Sequence, residues 1–228
     1  MMEQNRDVWI LIAAYNEGSV IGEVVRELRG QFSNVAVVDD GSSDRTGDIA
    51  LEAGAHVIRH PINLGQGAAI QTGLTYGLAR GADYLVTFDA DGQHRIEDVK
   101  SMFEVVKKFD LDVACGSRFL GSTEAMPTSR RIMLKLAILF TRFTTGVKVT
   151  DAHNGLRVFS ARGAKQISIT QNRMAHASEI IEQIAARKLT MQEVPVTIKY
   201  TAYSLQKGQK ITNSLSIIMD LLGGRMHK

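Results

Sequence analysis

The chain has 228 residues, of which 44% are hydrophobic and 22% charged, a composition that supports one domain with a buried core and argues against wholesale disorder. Cys115 is the single cysteine, so an internal disulfide and a cysteine-based metal site are excluded. The net charge of +3 is small and evenly spread, and no aromatic-basic platform accompanies it. Nucleic acid is therefore not an expected partner, whereas anionic substrates or an anionic membrane surface are.

No segment predicts export or membrane crossing. Residues 1–7 are polar and lack the apolar stretch of a signal peptide. The nearest apolar run, residues 132–140, is interrupted by Lys135 and is shorter than the roughly 18 to 20 residues that a spanning helix needs. We expect a cytoplasmic protein, soluble or peripheral at the inner face of the membrane.

The first half of the chain alternates strand-like and helix-like segments. Runs rich in β-branched residues predict strands, and apolar residues at helical spacing predict helices. The predicted strands are residues 8–14, 35–38, 57–58 and 84–88, and the predicted helices are residues 19–28, 44–53 and 67–80. Such alternation predicts right-handed crossovers and a parallel sheet in an α/β fold.

The second half is less regular. It predicts helices at residues 97–109, 128–143, 178–188 and 211–222, and strands at residues 112–115 and 194–203. No internal repeat, low-complexity tract or proline-rich linker is present, and the chain has three prolines in all. These features predict a single domain spanning residues 1–228.

Polar clusters follow three of the predicted strands. They are Tyr15-Asn16-Glu17, Asp39-Asp40 and Asp89-Ala90-Asp91. In a parallel sheet ligands bind beyond the carboxyl ends of the strands, and these ends share one edge. The sequence therefore predicts a site at that edge.

Asp89 and Asp91 are the most informative pair. Two carboxylates directly after a buried strand are costly unless a cation or hydrogen-bond donors satisfy them. Hard oxygen ligands suit Mg²⁺ or Mn²⁺, and Gln93 and His94 follow closely enough to add a ligand or an orienting contact. The alternative is a solvated turn, because Asp91-Gly92 is a common turn pair.

Asp40 carries a weaker prediction. A carboxylate at this position is suited to accept from a base imide or a ribose hydroxyl. The alternative is a loop in which Asp44 caps the next helix, and both can hold. Gly65-Gln66-Gly67 precedes a helix whose amides suit a phosphate, but a plain turn explains it as well.

Basic and acidic residues in the second half leave several roles open. Arg118, Arg130 and Arg131 flank a Gly-rich loop, where guanidinium groups would hold a phosphate or simply be solvated. Asp151, in the polar segment 151–157, is either a general base, an acceptor ligand or a turn residue. The histidines show no metal-site spacing, and most are expected to be exposed or hydrogen-bonded.

Together these segments resemble family 2 glycosyltransferases, in particular the dolichyl/polyprenyl-phosphate sugar transferase branch. The resemblance runs from Val8 to about Tyr203. The segments that carry it are residues 14–17, 37–46, 63–67, 89–94, 116–119 and 151–157, and their order and spacing are far more specific than any one of them.

The resemblance implies a nucleotide-diphospho-sugar transferase (GT-A) fold, a Rossmann-like and mostly parallel sheet flanked by helices, with inverting chemistry. It also implies that residues 1–115 bind a nucleotide-diphosphate sugar and that residues 116–228 face a polyprenyl phosphate lipid. By this resemblance, the donor and its nucleoside would contact Ala13, Tyr15, Glu17, Asp40 and Asp89. The metal would contact Asp89, Asp91 and Gln93. The acceptor phosphate would contact Arg118 and Arg130, and Asp151 would lie beside the reacting centre.

The chain departs from the family pattern at two positions and in its membrane attachment. Ala13 and Arg95 stand where proline is common, although neither removes a proposed ligand. C-terminal membrane spans, common among relatives, are not predicted. The helices at residues 128–143 and 211–222 would instead lie on the membrane, or else face the core. A small membrane-anchoring protein is a further hypothesis, which co-purification from a membrane extract tests.

The expected reaction is transfer of a hexose from a UDP- or GDP-sugar to a polyprenyl phosphate. One alternative is a family 2 transferase that acts on a saccharide hydroxyl. A sugar nucleotidyltransferase would need a triphosphate-binding loop near the N-terminus, which residues 13–19 lack. A non-catalytic nucleotide-sugar-binding module is disfavoured by the retained acidic pair.

Overall fold

The computed structural model describes residues 8–172, 175–200 and 203, without the side chain of Thr144. Strands and helices alternate along most of these residues. The strands are β1 Val8–Ala14, β2 Asn34–Asp39, β3 His56–Arg59, β4 Tyr84–Asp89, β5 Val113–Glu124, β6 Arg157–Ser160 and β7 Met191–Lys199. The helices are α1 Ile21–Arg29, α2 Thr46–Glu52, α3 Gln66–Ala79, α4 Ile96–Phe109, α5 Thr128–Thr145, α6 Ala161–Ala164 and α7 His176–Ala186.

The strands form one sheet in the order β3-β2-β1-β4-β6-β5-β7. Strand β6 runs antiparallel to both of its neighbours, β4 and β5, and the other pairs are parallel. The mostly parallel α/β sheet predicted from the sequence is therefore confirmed. Because β6 runs the opposite way, its first residue, Arg157, lies beside Thr87 near the carboxyl end of β4.

The sheet is buried on both faces, as a parallel sheet must be. Ile10 and Ile12 of β1 belong to one core cluster, together with residues of α1 and α4. Trp9 and Leu11 belong to a second cluster, which includes residues of α3 and α7. The alternation of side chains along β1 thus explains why its run is continuously apolar.

Each strand and helix predicted within residues 8–200 is present, β1 with the predicted bounds and the others with shifted ends. The largest shift is in β5, which continues to Glu124 instead of ending at Cys115. Its second half pairs with β7 through an irregularity between Ser117 and Ser122, in a stretch without apolar periodicity. Strand β6 and helix α6, which are four residues each, were not predicted from the sequence. The helix predicted at residues 211–222 lies outside the described residues.

Helix α5 has two different apolar faces. Leu134 and Ile138 are buried at 7% exposure each. Four other large apolar residues of the helix are 56% to 89% exposed: Ile132, Leu136, Leu139 and Phe143. Among the described helices, none is long and apolar enough to cross a membrane.

Candidate active site

A cavity of about 400 Å³ opens at the carboxyl ends of β1, β2 and β4. The polar clusters that follow these strands meet in it, as parallel topology requires. Nine of the ten residues predicted for the site line this cavity: Ala13, Tyr15, Glu17, Asp40, Asp89, Asp91, Gln93, Arg118 and Arg130. Asp151 is the exception, and it lies behind Arg118. The volume is typical of a small-molecule site.

The loops after β1 and β2 are joined by hydrogen bonds. Asn16, with a left-handed φ of 53°, accepts the amide of Ser43 at 2.9 Å. The amide of Glu17 donates to Thr46 Oγ1 at 2.8 Å. Asp44 accepts the amides of Gly18 and Thr46 at 3.0 and 2.9 Å and so bonds to the first residue of α2, although the N-cap position is Arg45 and not Asp44 as the sequence predicted. These contacts fix the loop that presents Tyr15 and Glu17 to the cavity.

Asp40 is a buried carboxylate at 2% exposure. It accepts from the amides of Leu64 and Gly65 at 3.0 and 2.7 Å and pairs with His60 Nδ1 at 2.7 Å. These contacts tie the end of β2 to the loop before α3. A carboxylate has about four acceptor positions, so Asp40 still has capacity for a ligand at the cavity surface.

Asp89 ends β4 and contacts two neighbouring side chains. His94 Nε2 lies 2.8 Å from Asp89 Oδ2, and Gln66 Nε2 donates to Oδ1 at 3.3 Å. Burial raises the pKa of Asp89, but the hydrogen bond from His94 and the positive charges of His94, Arg157 and His176 outweigh it, so this pKa lies below its ordinary value. Asp89 is therefore the ionised member of the acidic pair.

The negative charge of Asp91 is less well compensated by its surroundings than that of Asp89. Burial, and then the negative charge of Asp89, raise the pKa of Asp91 to about 6. The amide of Gln93 donates to Asp91 Oδ1 at 3.1 Å, which supports the charged form only in part. A carboxyl held in this way gains from a cation beside it.

Asp89 and Asp91 suit a divalent cation that takes only some of its ligands from the protein and the others from a bound substrate. The described residues hold no group of three or more histidine, cysteine or acidic side chains suited to a metal. Asp89 and Asp91 would supply carboxylate oxygens, and Gln93, 9% exposed, also lines the cavity. Mg²⁺ characteristically takes one or two carboxylates from the protein and the rest of its ligands from substrate phosphates and water.

Arg118, which lines the cavity, forms a buried ion pair with Asp151. Arg118 Nε donates to Asp151 Oδ2 at 2.6 Å, and Nη2 donates to the carbonyl of His153 at 3.1 Å. Glu193 accepts the amides of Thr150 and Asp151, at 2.8 and 2.9 Å, and so fixes the loop that carries Asp151. Asp151 thus positions Arg118.

Tyr200 links the two arginines predicted to hold a phosphate. Arg118 Nη1 donates to its hydroxyl at 2.8 Å, and the Arg130 guanidinium lies 5.0 Å from the centre of its ring. With Nε, Nη1 and Nη2 each giving one N–H to the protein, Arg118 keeps two of its five for a ligand. The sequence offered no signal for Tyr200 beyond its place within the strand predicted at residues 194–203.

Residues 153–157 form a wall of the cavity that sequence analysis did not resolve. His153, Asn154, Gly155 and Arg157 all line it. Burial lowers the pKa of His153 to about 4, so the imidazole is neutral near pH 7. Its Nδ1 has no hydrogen-bond partner, so His153 differs from the exposed or hydrogen-bonded state expected of most of the histidines. His176, on α7, is also buried and lines the cavity.

The family model described as Glycosyl transferase family 2 matches residues 9–168, which include the acidic pair and Arg118. The chain belongs to glycosyltransferase family 2. Two relatives agree with this placement. UDP-N-acetylglucosamine–dolichyl-phosphate N-acetylglucosaminyltransferase of Methanococcus voltae is 32% identical over 97% of this chain and 97% of its own length. Undecaprenyl-phosphate mannosyltransferase of Micrococcus luteus is 34% identical over 71% of this chain and 70% of its own.

The fold of the glycosyltransferase is also found in a solved structure. Glucosyl-3-phosphoglycerate synthase from Mycobacterium tuberculosis, in complex with Mn²⁺, UDP and glucosyl-3-phosphoglycerate, superposes with a TM-score of 0.72. The match covers 96% of this chain and 80% of that chain at 16% identity. It confirms the GT-A fold expected from the sequence.

Proposed function

We propose that this family 2 glycosyltransferase is an inverting enzyme that moves a hexose from a UDP- or GDP-sugar to a polyprenyl phosphate at the cytoplasmic face of a membrane. One observation carries the proposal. An acidic pair, Asp89 and Asp91, lines the cavity at the end of β4, and two basic residues line it from other elements, Arg118 from β5 and Arg130 from α5. A diphosphate with its cation suits the acidic pair, and an anionic acceptor suits the two arginines.

The donor nucleoside would occupy the part of the cavity formed by β1 and β2. Ala13, Tyr15, Glu17 and Asp40 line this part. Tyr15 is 46% exposed and presents an aromatic ring next to the polar side chains. A base would lie against this ring while the carboxylates accept from its imide or from the ribose.

A divalent cation would be held by Asp89 and Asp91, with Gln93 nearby. Bound there, Mg²⁺ or Mn²⁺ would neutralise the negative charge of the departing diphosphate. The structural neighbour in complex with Mn²⁺ and UDP supports this pairing of cation and nucleotide. The contribution of this chain is to keep Asp89 ionised through His94 and to place Asp91 two residues further on.

The acceptor phosphate would lie between Arg118 and Arg130. The two relatives whose names include dolichyl phosphate and undecaprenyl phosphate support this acceptor class. A phosphate monoester is already anionic near neutral pH, so it needs little help from a base. That fits the position of Asp151, whose carboxylate is bonded to Arg118 and lies outside the cavity lining.

Helix α5 supports a site at a membrane. Its exposed apolar residues, Ile132, Leu136, Leu139 and Phe143, fall within about 60° of one another at 100° per residue. Exposed basic residues of the same helix, Arg131, Lys135 and Arg142, follow one flank of this stripe. An apolar stripe with basic flanks matches the surface of an anionic bilayer. The first turn of the same helix carries Arg130, so docking would bring a lipid phosphate close to the cavity.

Transfer to a saccharide hydroxyl is the second candidate. A hydroxyl is a weak nucleophile and requires a general base. Asp151, the residue predicted for that role, is committed to Arg118. The acceptor phosphate therefore agrees better with the contacts of this site, and the separate roles of residues 1–115 and 116–228 stay a prediction.

Calorimetry with a panel of UDP- and GDP-sugars tests the donor half of the proposal. Each sugar nucleotide is titrated with Mg²⁺, with Mn²⁺ and with chelator into wild type and Asp91→Ala. We expect cation-dependent binding of one donor, lost in the variant, followed by transfer of its sugar to polyprenyl phosphate in detergent. Transfer to a soluble glycan without lipid would favour the second candidate, and absence of any donor binding would refute the proposal.

A further inference from the structure

The order of strands in the sheet gives the order of subsites along the cavity. β1 carries the proposed nucleoside contacts, β4 ends at the acidic pair, and β5 carries Arg118 of the proposed acceptor site. Strand β6 lies between β4 and β5. If the proposed function is correct, the transferred sugar lies between the diphosphate and the acceptor. The loop that leads into β6 is therefore beside it.

Asn154, in this loop, has an unused donor. Its Oδ1 accepts the amide of Leu156 at 2.9 Å, and this contact fixes which end of the amide carries the nitrogen. The residue is 2% exposed, and its Nδ2 has no hydrogen-bond partner in the protein. A buried donor without a partner is destabilising, and such groups are rare outside functional positions.

Arg157, the first residue of β6, also has a buried side-chain donor without a hydrogen-bond partner. The side chain is 2% exposed, its Nη2 donates to the carbonyl of Ala152 at 3.4 Å, and the guanidinium also makes a hydrogen bond with the Cys115 thiol. Nη1 has no partner. No carboxylate among the described residues forms an ion pair with this guanidinium. Asp89 is nonetheless near enough for the charge of Arg157 to act on it.

The loop is held tightly against Asp89. Thr87 Oγ1 donates to the carbonyl of Gly155 at 2.6 Å, and a Cβ at position 155 would overlap the Asp89 carboxylate. Asn154 and Arg157 therefore flank a backbone segment in contact with the acidic pair. Their unused N–H groups can only donate, so the matching ligand must present acceptor oxygens.

We propose that Asn154 and Arg157 bind the transferred sugar, whose hydroxyl or N-acyl oxygens accept from Asn154 Nδ2 and Arg157 Nη1. The sugar is a neutral hexose, because the charge of Arg157 already acts on Asp89, and a carboxylate on the sugar would add a third negative charge to a cavity that Asp89 and Asp91 line. This inference rests on the proposed function and adds the residues that recognise the sugar. It assigns them to specificity rather than to the cation or the nucleoside.

The test compares binding of a nucleotide sugar with binding of its nucleoside diphosphate. The probes are UDP-glucose, UDP-N-acetylglucosamine, GDP-mannose, UDP-glucuronic acid, UDP and GDP, each with saturating Mg²⁺. The variants are Asn154→Ser, whose hydroxyl can still accept from Leu156, and Arg157→Lys. Glu17→Gln is the control at the nucleoside end. Thermal unfolding of every variant reports whether it is folded.

We expect each sugar-site variant to bind UDP or GDP as wild type does and to bind the preferred nucleotide sugar about 2- to 10-fold more weakly, the effect of one hydrogen bond. Glu17→Gln should weaken both ligands by the same factor. Equal losses for both ligands in Asn154→Ser, an unchanged affinity for the nucleotide sugar, or a preference for UDP-glucuronic acid would overturn the inference. If wild type binds none of the nucleotide sugars, the proposed function itself fails.

Discussion

Asp151 and Arg118 form an ion pair whose side chains are 1% and 7% exposed, with Nε and Oδ2 2.6 Å apart. Arg118 lines the cavity and Asp151 does not, and Asp151 also accepts the backbone amide of Arg118 at 3.1 Å. A carboxylate used in this way directs the guanidinium towards the cavity. Its importance for activity would then depend on the acceptor rather than on proton removal.

Asp151→Asn should destabilise the protein and weaken acceptor binding. Loss of one partner from a buried ion pair lowers the free energy of unfolding by about 3–5 kcal/mol. The asparagine side chain can still accept one hydrogen bond, so we expect a loss at the lower end of this range. We expect the KM for polyprenyl phosphate to rise more than the KM for the donor. Activity should fall much less than in Asp91→Asn. Urea unfolding and steady-state kinetics measure these effects.

An exposed ion pair provides the control for this substitution. Arg162 and Asp110 are 3.3 Å apart, and the Asp110 side chain is 87% exposed. Asp110→Asn should change the free energy of unfolding by no more than about 1 kcal/mol and leave both KM values unchanged. Similar losses of stability in the two variants, or equal losses of activity in Asp151→Asn and Asp91→Asn, would contradict the positioning role.

The sequence allowed the fold to be predicted where its patterns are regular. The run at residues 8–14 and the helical spacing of Val20, Val24 and Leu28 belong to elements buried on one or both faces, so apolar periodicity reflects their packing. Strand β6 has four residues and begins with Arg157, so it lacks any period. Its antiparallel direction follows from tertiary packing, which local sequence does not encode.

The site shows the same division. Asp89 and Asp91 could be predicted because they follow a strong strand, and parallel strands bring their carboxyl ends together. Tyr200 and Asn154 could not be predicted, since only the complete sheet brings Tyr200, just after β7, to Arg118 and the loop that carries Asn154 to the cavity. The partner of Asp151 was equally hidden, because Arg118 is 33 residues away along the chain.

Asp91→Asn should stabilise the protein in the absence of divalent cations. The pKa of Asp91 is raised from 3.8 to about 6 in the folded state, so folding favours its protonated form. The ionised carboxylate therefore destabilises the fold progressively from about pH 4 to pH 6, and fully above that. We expect the variant to gain on the order of 1–2 kcal/mol at pH 7.5 and nothing near pH 4. Urea unfolding in chelator across this pH range measures the gain.

Asp48 provides the opposite case. The hydrogen bond and charge of Arg59 lower the pKa of Asp48, so its ionised form is the one that folding favours. Asp48→Asn should therefore show no gain of stability at any pH. A gain in both variants would mean that removal of any acidic charge stabilises the protein. If Asp91→Asn shows no pH-dependent gain, the surroundings of Asp91 do not disfavour its ionised form.

Gly155→Ala should disable the acidic pair while leaving the fold intact. A Cβ at this position would overlap both carboxylate oxygens of Asp89, which is the far end of a side chain and can move. Movement would break the contact with His94 and displace a carboxylate from the cation site. We expect cation-dependent donor binding to weaken at least about tenfold, as measured by calorimetry.

Gly81→Ala separates this effect from general loss of glycine. Gly81 has a φ of +78° and no atom within 4 Å of an added Cβ, so the substitution adds backbone strain alone. The cost should be about 1–2 kcal/mol of stability with unchanged donor binding. Weaker donor binding in Gly81→Ala would show that the assay follows stability rather than the position of Asp89.

Leu136→Gln should weaken attachment to anionic vesicles. Leu136 is 63% exposed and belongs to the apolar stripe of α5. Because burial of a leucine in a bilayer surface is favourable, we expect the variant to bind vesicles about 3- to 10-fold more weakly than wild type in sedimentation. Binding of wild type should fall in high salt and on vesicles without anionic lipid, because Arg131, Lys135 and Arg142 contribute about 1 kcal/mol each near such a surface.

Leu51→Gln is the matched control, since Leu51 is a helical leucine at 59% exposure on α2. Equal losses in the two variants would mean that general surface apolarity, and not α5, attaches the protein. If both variants bind vesicles as wild type does, α5 is not the docking surface.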